Sequence, residues 1–162
     1  MFTDEETDII YITTPHNTHI KFMIEALKNG KHVLCEKSIT LNSGELEEAI
    51  KIAKEKNLIL GEAMTIFNMP LYTELSEIVN SGKLGDVKMI QVNFGSYKEY
   101  DMSNRFFNRN LAGGALLDIG VYAISITRLF MTSKPDNVYA PTGVDEQVGI
   151  IMMNEENSRC QQ

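Results

Sequence analysis

The chain has 162 residues, of which 43% are hydrophobic and 23% charged. That composition excludes collagen-like, low-complexity and disordered classes. A net charge of -7, from 15 basic and 22 acidic residues, argues against nucleic acid, which is bound through clustered Lys and Arg.

No stretch approaches the ~18 consecutive apolar residues of a membrane span. The acidic start, Met1 to Glu6, lacks the basic-then-apolar order of a signal peptide. Two cysteines, Cys35 and Cys160, are too few for a disulfide framework or a four-cysteine zinc site, and they fit a reduced, cytoplasmic setting.

Asp8 to Thr13 is a nearly continuous apolar run and predicts a strand buried on both faces, as in a parallel sheet. Asn17 or Thr18 then caps a helix with Ile20, Met23, Ile24 and Leu27 on one face, stopped at Asn29-Gly30. His32 to Cys35 is a second strand. Asn42 or Ser43 opens a helix to about Lys56, and Leu58 to Gly61 is a third strand. Strand–helix–strand–helix–strand implies a parallel α/β layer.

The pattern changes near residue 65. Leu71, Leu75, Ile78 and Val79 mark a further helix ending at Ser81-Gly82. Val87 to Phe94 alternates, with Ile90, Val92 and Phe94 on one face, which predicts an antiparallel strand. Residues 98–112 are polar and irregular. Gly113-Gly114 leads into an apolar helix to about Met131, and Val148 to Met153 is a final strand. The boundary falls near residue 62, giving an α/β part at 1–62 and an α+β part at 63–162. A strand near each end of the chain leaves sheet edges that need cover.

Lys37 lies two residues past the second strand, where α/β folds place ligands. A lysine there can polarise or protonate a substrate oxygen; the plainer reading is a surface Glu36–Lys37 pair. Asp118 and Tyr122, four apart on an apolar helix, are either site residues or an internal hydrogen-bonded pair. His16 and His19 have a spacing that zinc accepts, but no third ligand is evident, so polar contacts at the helix start are preferred. Arg105 and Arg109 can meet a phosphate or carboxylate, or remain solvated loop charges.

Three segments together resemble the Gfo/Idh/MocA oxidoreductase family. Asp8 to His19 resembles its fourth-strand signature, Gly30 to Lys37 its Glu-Lys-Pro segment, and Gly113 to Tyr122 its second-domain active-site helix. Their order and spacing agree, and the resemblance spans nearly all of residues 6–153. Tyr122 resembles the glucose–fructose oxidoreductase and dihydrodiol dehydrogenase branch, where other branches have histidine.

The resemblance implies an NAD- or NADP-dependent dehydrogenase acting on a sugar, polyol or dihydrodiol hydroxyl. It implies the C-terminal half of a Rossmann parallel sheet, then part of an open, mostly antiparallel sheet domain with helices on one face, and a homo-oligomer formed through that second sheet. Lys37 matches the catalytic lysine, Tyr122 the acid/base residue and Asp118 a pocket carboxylate. Thr14, Pro15, Asn17 and His19 match the loop bordering the cofactor, Glu36 a residue near the nicotinamide ribose, and Arg105, more weakly, an arginine near cofactor or substrate. No metal is implied. A hydride would leave a carbinol carbon while the hydroxyl proton goes to Tyr122 or Lys37.

The chain departs from the family in three ways. It has no Gly-x-Gly-x-x-Gly, the motif that seats a pyrophosphate on a helix N-terminus. Ser38 replaces the usual proline after the lysine, which relaxes the restraint on Lys37's backbone. The segment Asp136 to Thr142 is short. The expectation is therefore a chain truncated at both ends, inactive in isolation, with an alternative as a non-catalytic piece that pairs through its exposed sheet.

Overall fold

The computed structural model describes residues 1–101, 103–139 and 149–153. Three short parallel strands form the first sheet: β1 (Ile9–Ile12), β2 (His32–Cys35) and β3 (Leu60–Glu62), in the order β1-β2-β3. Ile9 pairs with His32 and Ile12 with Cys35, while Val33 pairs with Leu60. Each crossover is a helix, α1 (His19–Lys28) after β1 and α2 (Ser43–Glu55) after β2, as parallel strands require.

The caps follow local chemistry. Asn42 accepts from the Glu45 amide through Oδ1 at 3.0 Å, and the Glu45 carboxylate accepts from the Leu41 amide at 3.1 Å. This reciprocal arrangement satisfies two amides at the start of α2. Thr18 behaves differently. Its hydroxyl turns back to the Pro15 carbonyl at 2.7 Å, and His16–Thr18 forms a 3-10 turn before α1 begins. Gly30, at φ +76, takes the left-handed position after α1 that a Cβ would disfavour.

The core consists of Ile10, Ile12, Met23, Ala26, Leu27, Val33, Cys35, Ala49 and Ala53. It fills the space between the sheet and the two helices. The expectation that β1 is buried on both faces is corrected here. Ile10 and Ile12 are buried, whereas Ile9 and Tyr11 are each 54% exposed. Both helices pack with the Ile10 side, so the alternating residues have no layer over them among the described residues.

The chain divides into two compact units. The first is Met1–Met64 together with Asp101–Gly113; the second is Thr65–Tyr100 with Gly114–Gln162. The sequence reading has one crossing near residue 62, and the return at 101–113 is not visible in it. Within the first unit that returning segment is tied to the loop after β1: the Asn17 side-chain amide donates to the Asn110 carbonyl at 3.0 Å.

The second unit holds a 3-10 turn at Thr65–Asn68, α3 (Pro70–Asn80, with proline at its first position), a π turn at Leu116–Gly120 and α4 (Val121–Phe130). It also holds an antiparallel pair, β4 (Asn137–Tyr139) and β5 (Ile151–Met153), in which Val138 faces Met152. The expected strand at Val87–Phe94 is not one: among the described residues it joins no ladder. Ile90 and Val92 are nonetheless less exposed than Met89, Gln91 and Asn93. Alternation marks an apolar side, but a strand also needs a partner for its amides. The predicted Val148 start of the last strand, Thr142, Cys160 and the tail after Met153 lie outside the described residues.

Candidate functional site

The first unit gathers seven of the sequence-predicted residues. Thr14, Pro15 and Asn17 are exposed just past the C-terminal end of β1, and Glu36 and Lys37 are half-buried just past β2. Open parallel sheets take ligands at this end of adjacent strands. Arg105 is exposed, with its guanidinium over the Phe106 ring at 4.3 Å from the centroid. The seventh, His19, is fully buried, and its ring nitrogens lie 2.9 Å from the Ser38 carbonyl and 2.8 Å from the Thr14 carbonyl.

The backbone after β2 is held at each step. The Glu36 amide donates to the Ile12 carbonyl at 2.9 Å. The Lys37 carbonyl lies 3.0 Å from Nε2 of His16, and the Ile39 amide donates to the Glu62 carboxylate at 2.9 Å. The Lys37–Ser38 peptide is cis. His16 and His19 stack edge to face with centroids 5.5 Å apart. Their nitrogens face carbonyl oxygens, which is not how zinc ligands are arranged. Among the described residues no group of three or more His, Cys, Asp or Glu is placed to hold a metal ion.

Electrostatics follow from this packing. Burial lowers the His16 pKa, the positive charges of Lys37 and Arg105 add to the effect, and the contact with the Ala112 carbonyl opposes it. His16 is therefore neutral at pH 7 with one N–H. Its closer contact, 3.0 Å to Lys37 against 3.5 Å to Ala112, selects the Nε2–H tautomer. The Tyr11 hydroxyl donates to the Glu36 carboxylate, and that bond raises the tyrosine's pKa. Cys35, fully buried, has its thiol pushed up to about 12 by burial, with Glu62 and Glu36 adding to the shift. It is a core residue and a poor nucleophile.

Asp118 and Tyr122 lie in the second unit and are half-buried. The expected regular helix is instead a π turn running into α4, and Asp118 is inside that turn. π turns recur at functional sites because the extra residue re-aims the side chains around it. The Tyr122 ring packs against Phe94 at 5.9 Å between centroids. A groove of about 1320 Å³ lies between Val87–Ser96 and Ala115, Ile119, Ala123 and Thr127; Phe94 lines it, but neither Asp118 nor Tyr122 does. The span Arg109–Phe130 is long and apolar enough to cross a membrane by length and composition, yet it contains Asp118 and several glycines.

Sequence reasoning missed Tyr11 and Glu62. Tyr11 was legible only as a strand residue, although its odd register against Ile10 and Ile12 sets it on the opposite face, where Glu36 is reached. Nothing in the sequence signals that Glu62 turns back to the Ile39 amide.

Two family models cover the chain in succession. An oxidoreductase-family NAD-binding Rossmann fold matches residues 1–64, and a GFO/IDH/MocA C-terminal domain matches residues 72–156. A trans-1,2-dihydrobenzene-1,2-diol dehydrogenase of Xenopus laevis is 38% identical over 92% of this chain and 46% of its own length. A D-xylose 1-dehydrogenase (NADP(+)) of Hypocrea jecorina is 32% identical over 93% of this chain and 44% of its own length. A 3-ketoreductase of Actinomadura kijaniata, solved with NADP and TDP-benzene, superposes with a TM-score of 0.69 at 27% identity, covering 80% of this chain and 39% of that one. The aldose-aldose oxidoreductase of Caulobacter crescentus shares the fold at a TM-score of 0.80 and 24% identity, over 96% of this chain and 50% of that one. This chain thus spans about half the length of the curated relatives it matches. With a Rossmann layer followed by the matched C-terminal segment in the order the two models require, the chain belongs to the Gfo/Idh/MocA family of NAD(P)-dependent oxidoreductases.

Proposed function

We propose that this chain serves the oxidation or reduction of a hydroxyl-bearing carbon in a sugar, polyol or dihydrodiol, with NAD or NADP as hydride partner. The observation that carries the reading is the convergence of Thr14, Pro15, Asn17, Glu36 and Lys37 at the C-terminal ends of β1 and β2. Family membership and the printed activities of the relatives, a dihydrodiol dehydrogenase and a xylose dehydrogenase, support the substrate class.

The exposed Thr14, Pro15 and Asn17 and the half-buried Glu36 and Lys37 suit the nicotinamide end of such a cofactor. No Gly-x-Gly-x-x-Gly is present to take its pyrophosphate. The cofactor, when bound, accepts or supplies the hydride. The chain's own residues handle the proton. Lys37 polarises the substrate oxygen or takes its proton; for Tyr122 and Asp118, in the second unit, the acid/base and hydroxyl-binding roles rest on the family resemblance alone. The β4–β5 pair, with Val138, Tyr139 and Ile151 exposed, suits association of two copies through that sheet.

The test is a fluorescence titration of the 162-residue chain with NADH and with NADPH; having no tryptophan, the protein adds little emission. Saturable binding abolished by Lys37→Ala supports the reading and justifies a screen of sugars, polyols and dihydrodiols. No saturation at millimolar cofactor refutes the claim that this chain holds the cofactor. It favours the alternative, a non-catalytic piece that pairs through its sheet, which light scattering would then show as a dimer or larger species.

A further inference from the structure

A lysine side chain has four rotatable bonds, so its ammonium is useful in catalysis only if the backbone beneath it is fixed. In this chain the lysine stands in a loop, and serine follows it where a proline would restrict it. Something else must hold it. The two imidazoles beneath the loop are placed for that task. His16, on the 3-10 turn, and His19, at the first position of α1, are three residues apart and both buried.

We propose that His16 and His19 are positioning residues for Lys37, holding the carbonyls of Lys37 and Ser38 and joining them to the loop after β1. The proposal rests on the reading of Lys37 as a proton-handling group. His16 places Nε2 3.0 Å from the Lys37 carbonyl, and His19 places Nδ1 2.9 Å from the Ser38 carbonyl. The far nitrogen of His19 lies 2.8 Å from the Thr14 carbonyl, and that of His16 lies 3.5 Å from the Ala112 carbonyl. With its single N–H at Nε2, His16 donates to the Lys37 carbonyl and only packs against that of Ala112, while His19 lies between the carbonyls of Ser38 and Thr14. Neither ring projects to solvent, so neither is available to a ligand. The charged groups acting on His16 are His19, Lys37 and Arg105. All of them disfavour a second proton, which leaves a single N–H aimed at Lys37.

The use of a different nitrogen by each ring makes the idea separable from a general need for bulk. Glutamine can put its amide where Nε2 stands, and asparagine where Nδ1 stands. His16→Gln and His19→Asn should thus keep the bonds to Lys37 and Ser38, while His16→Asn and His19→Gln should lose them.

The measurement is amide hydrogen exchange in the full chain at residues 37–39, with Val33 as a core reference. Expected is about tenfold faster exchange at 37–39 in His16→Asn and His19→Gln, the effect of losing one hydrogen bond, with little change in the rescuing pair. Where turnover is measurable, kcat should fall in the first pair with KM for the nicotinamide unchanged. Equal effects in all four folded variants would make the rings simple core fillers and overturn the proposal. So would no effect in any of them. The exchange readout needs no cofactor, so a failed cofactor titration sinks the functional reading without deciding this one.

Discussion

Cys35 offers a quantitative check on how the first unit is packed. Its thiol is fully buried and has its pKa pushed from 9.0 up to about 12. A group whose folded pKa is raised contributes stability that is complete below the unfolded value and is lost as pH climbs toward the folded one. The unfolded chain ionises first: at about pH 10 it gains roughly 1.4 kcal/mol from thiolate formation, and at about pH 11 roughly 2.7 kcal/mol, while the folded thiol stays neutral. Cys35→Ala removes that titration and leaves a small cavity, costing about 1 kcal/mol at neutral pH. Urea melts of both proteins between about pH 7 and pH 10.5 should therefore show the wild type ahead at first and level or behind at the upper end. A second readout is thiol labelling with a disulfide reagent in a Cys160→Ser background, where Cys35 should react about a thousandfold more slowly in the native chain than in denaturant. Labelling at the rate of a free thiol, or a stability gap between the two proteins that does not change with pH, would refute the burial that the argument depends on.

Substitutions at three further positions probe single features. Gly113→Ala would place a Cβ 2.5 Å from the Arg105 carbonyl oxygen and 2.7 Å from that of Phe106; since backbone must move, about 3 kcal/mol of stability should be lost. Gly30→Ala meets nothing within 4 Å and is strained only by its φ of +76, so about 1 kcal/mol is expected there, and thermal melts of the pair should rank accordingly. Asn42→Ala removes the side-chain acceptor of the Glu45 amide and should cost about 1 kcal/mol in urea, with Asn42→Asp close to neutral; an Ala variant as stable as wild type would show that the cap is idle.

Much of the first unit was legible because its signals are local. Strand runs, helix periodicity and the Asn42 cap depend on neighbours a few residues apart, and β2 falls at His32–Cys35 as read from the sequence. What failed depended on distant partners. Whether Ile9 and Tyr11 are covered is settled by which side both helices choose, and whether Val87–Phe94 pairs is settled by another segment altogether. The same holds at the site. Lys37 was found from its place after a strand, whereas the ring contacts of His16 and His19 span 21 and 19 residues to the carbonyls beneath it. The π turn around Asp118 leaves no mark in periodicity, because one extra residue per turn is lost in so short a helix.

The division of the chain into interleaved units has a consequence for its birth on the ribosome. It passes between the units at 64–65, 100–101 and 113–114. The layer carrying Lys37 is therefore unfinished when its third strand emerges; the segment that meets His16 and Asn17 follows only after the first half of the other unit. At ~5–20 residues per second the wait is several seconds, during which Ala112 and Asn110 are not yet there to be bonded. Nor does one cut free either unit whole. A nick after Met64 leaves part of the first unit's chain attached to the second, so a protease that severs the linker should yield two fragments that stay together until denatured.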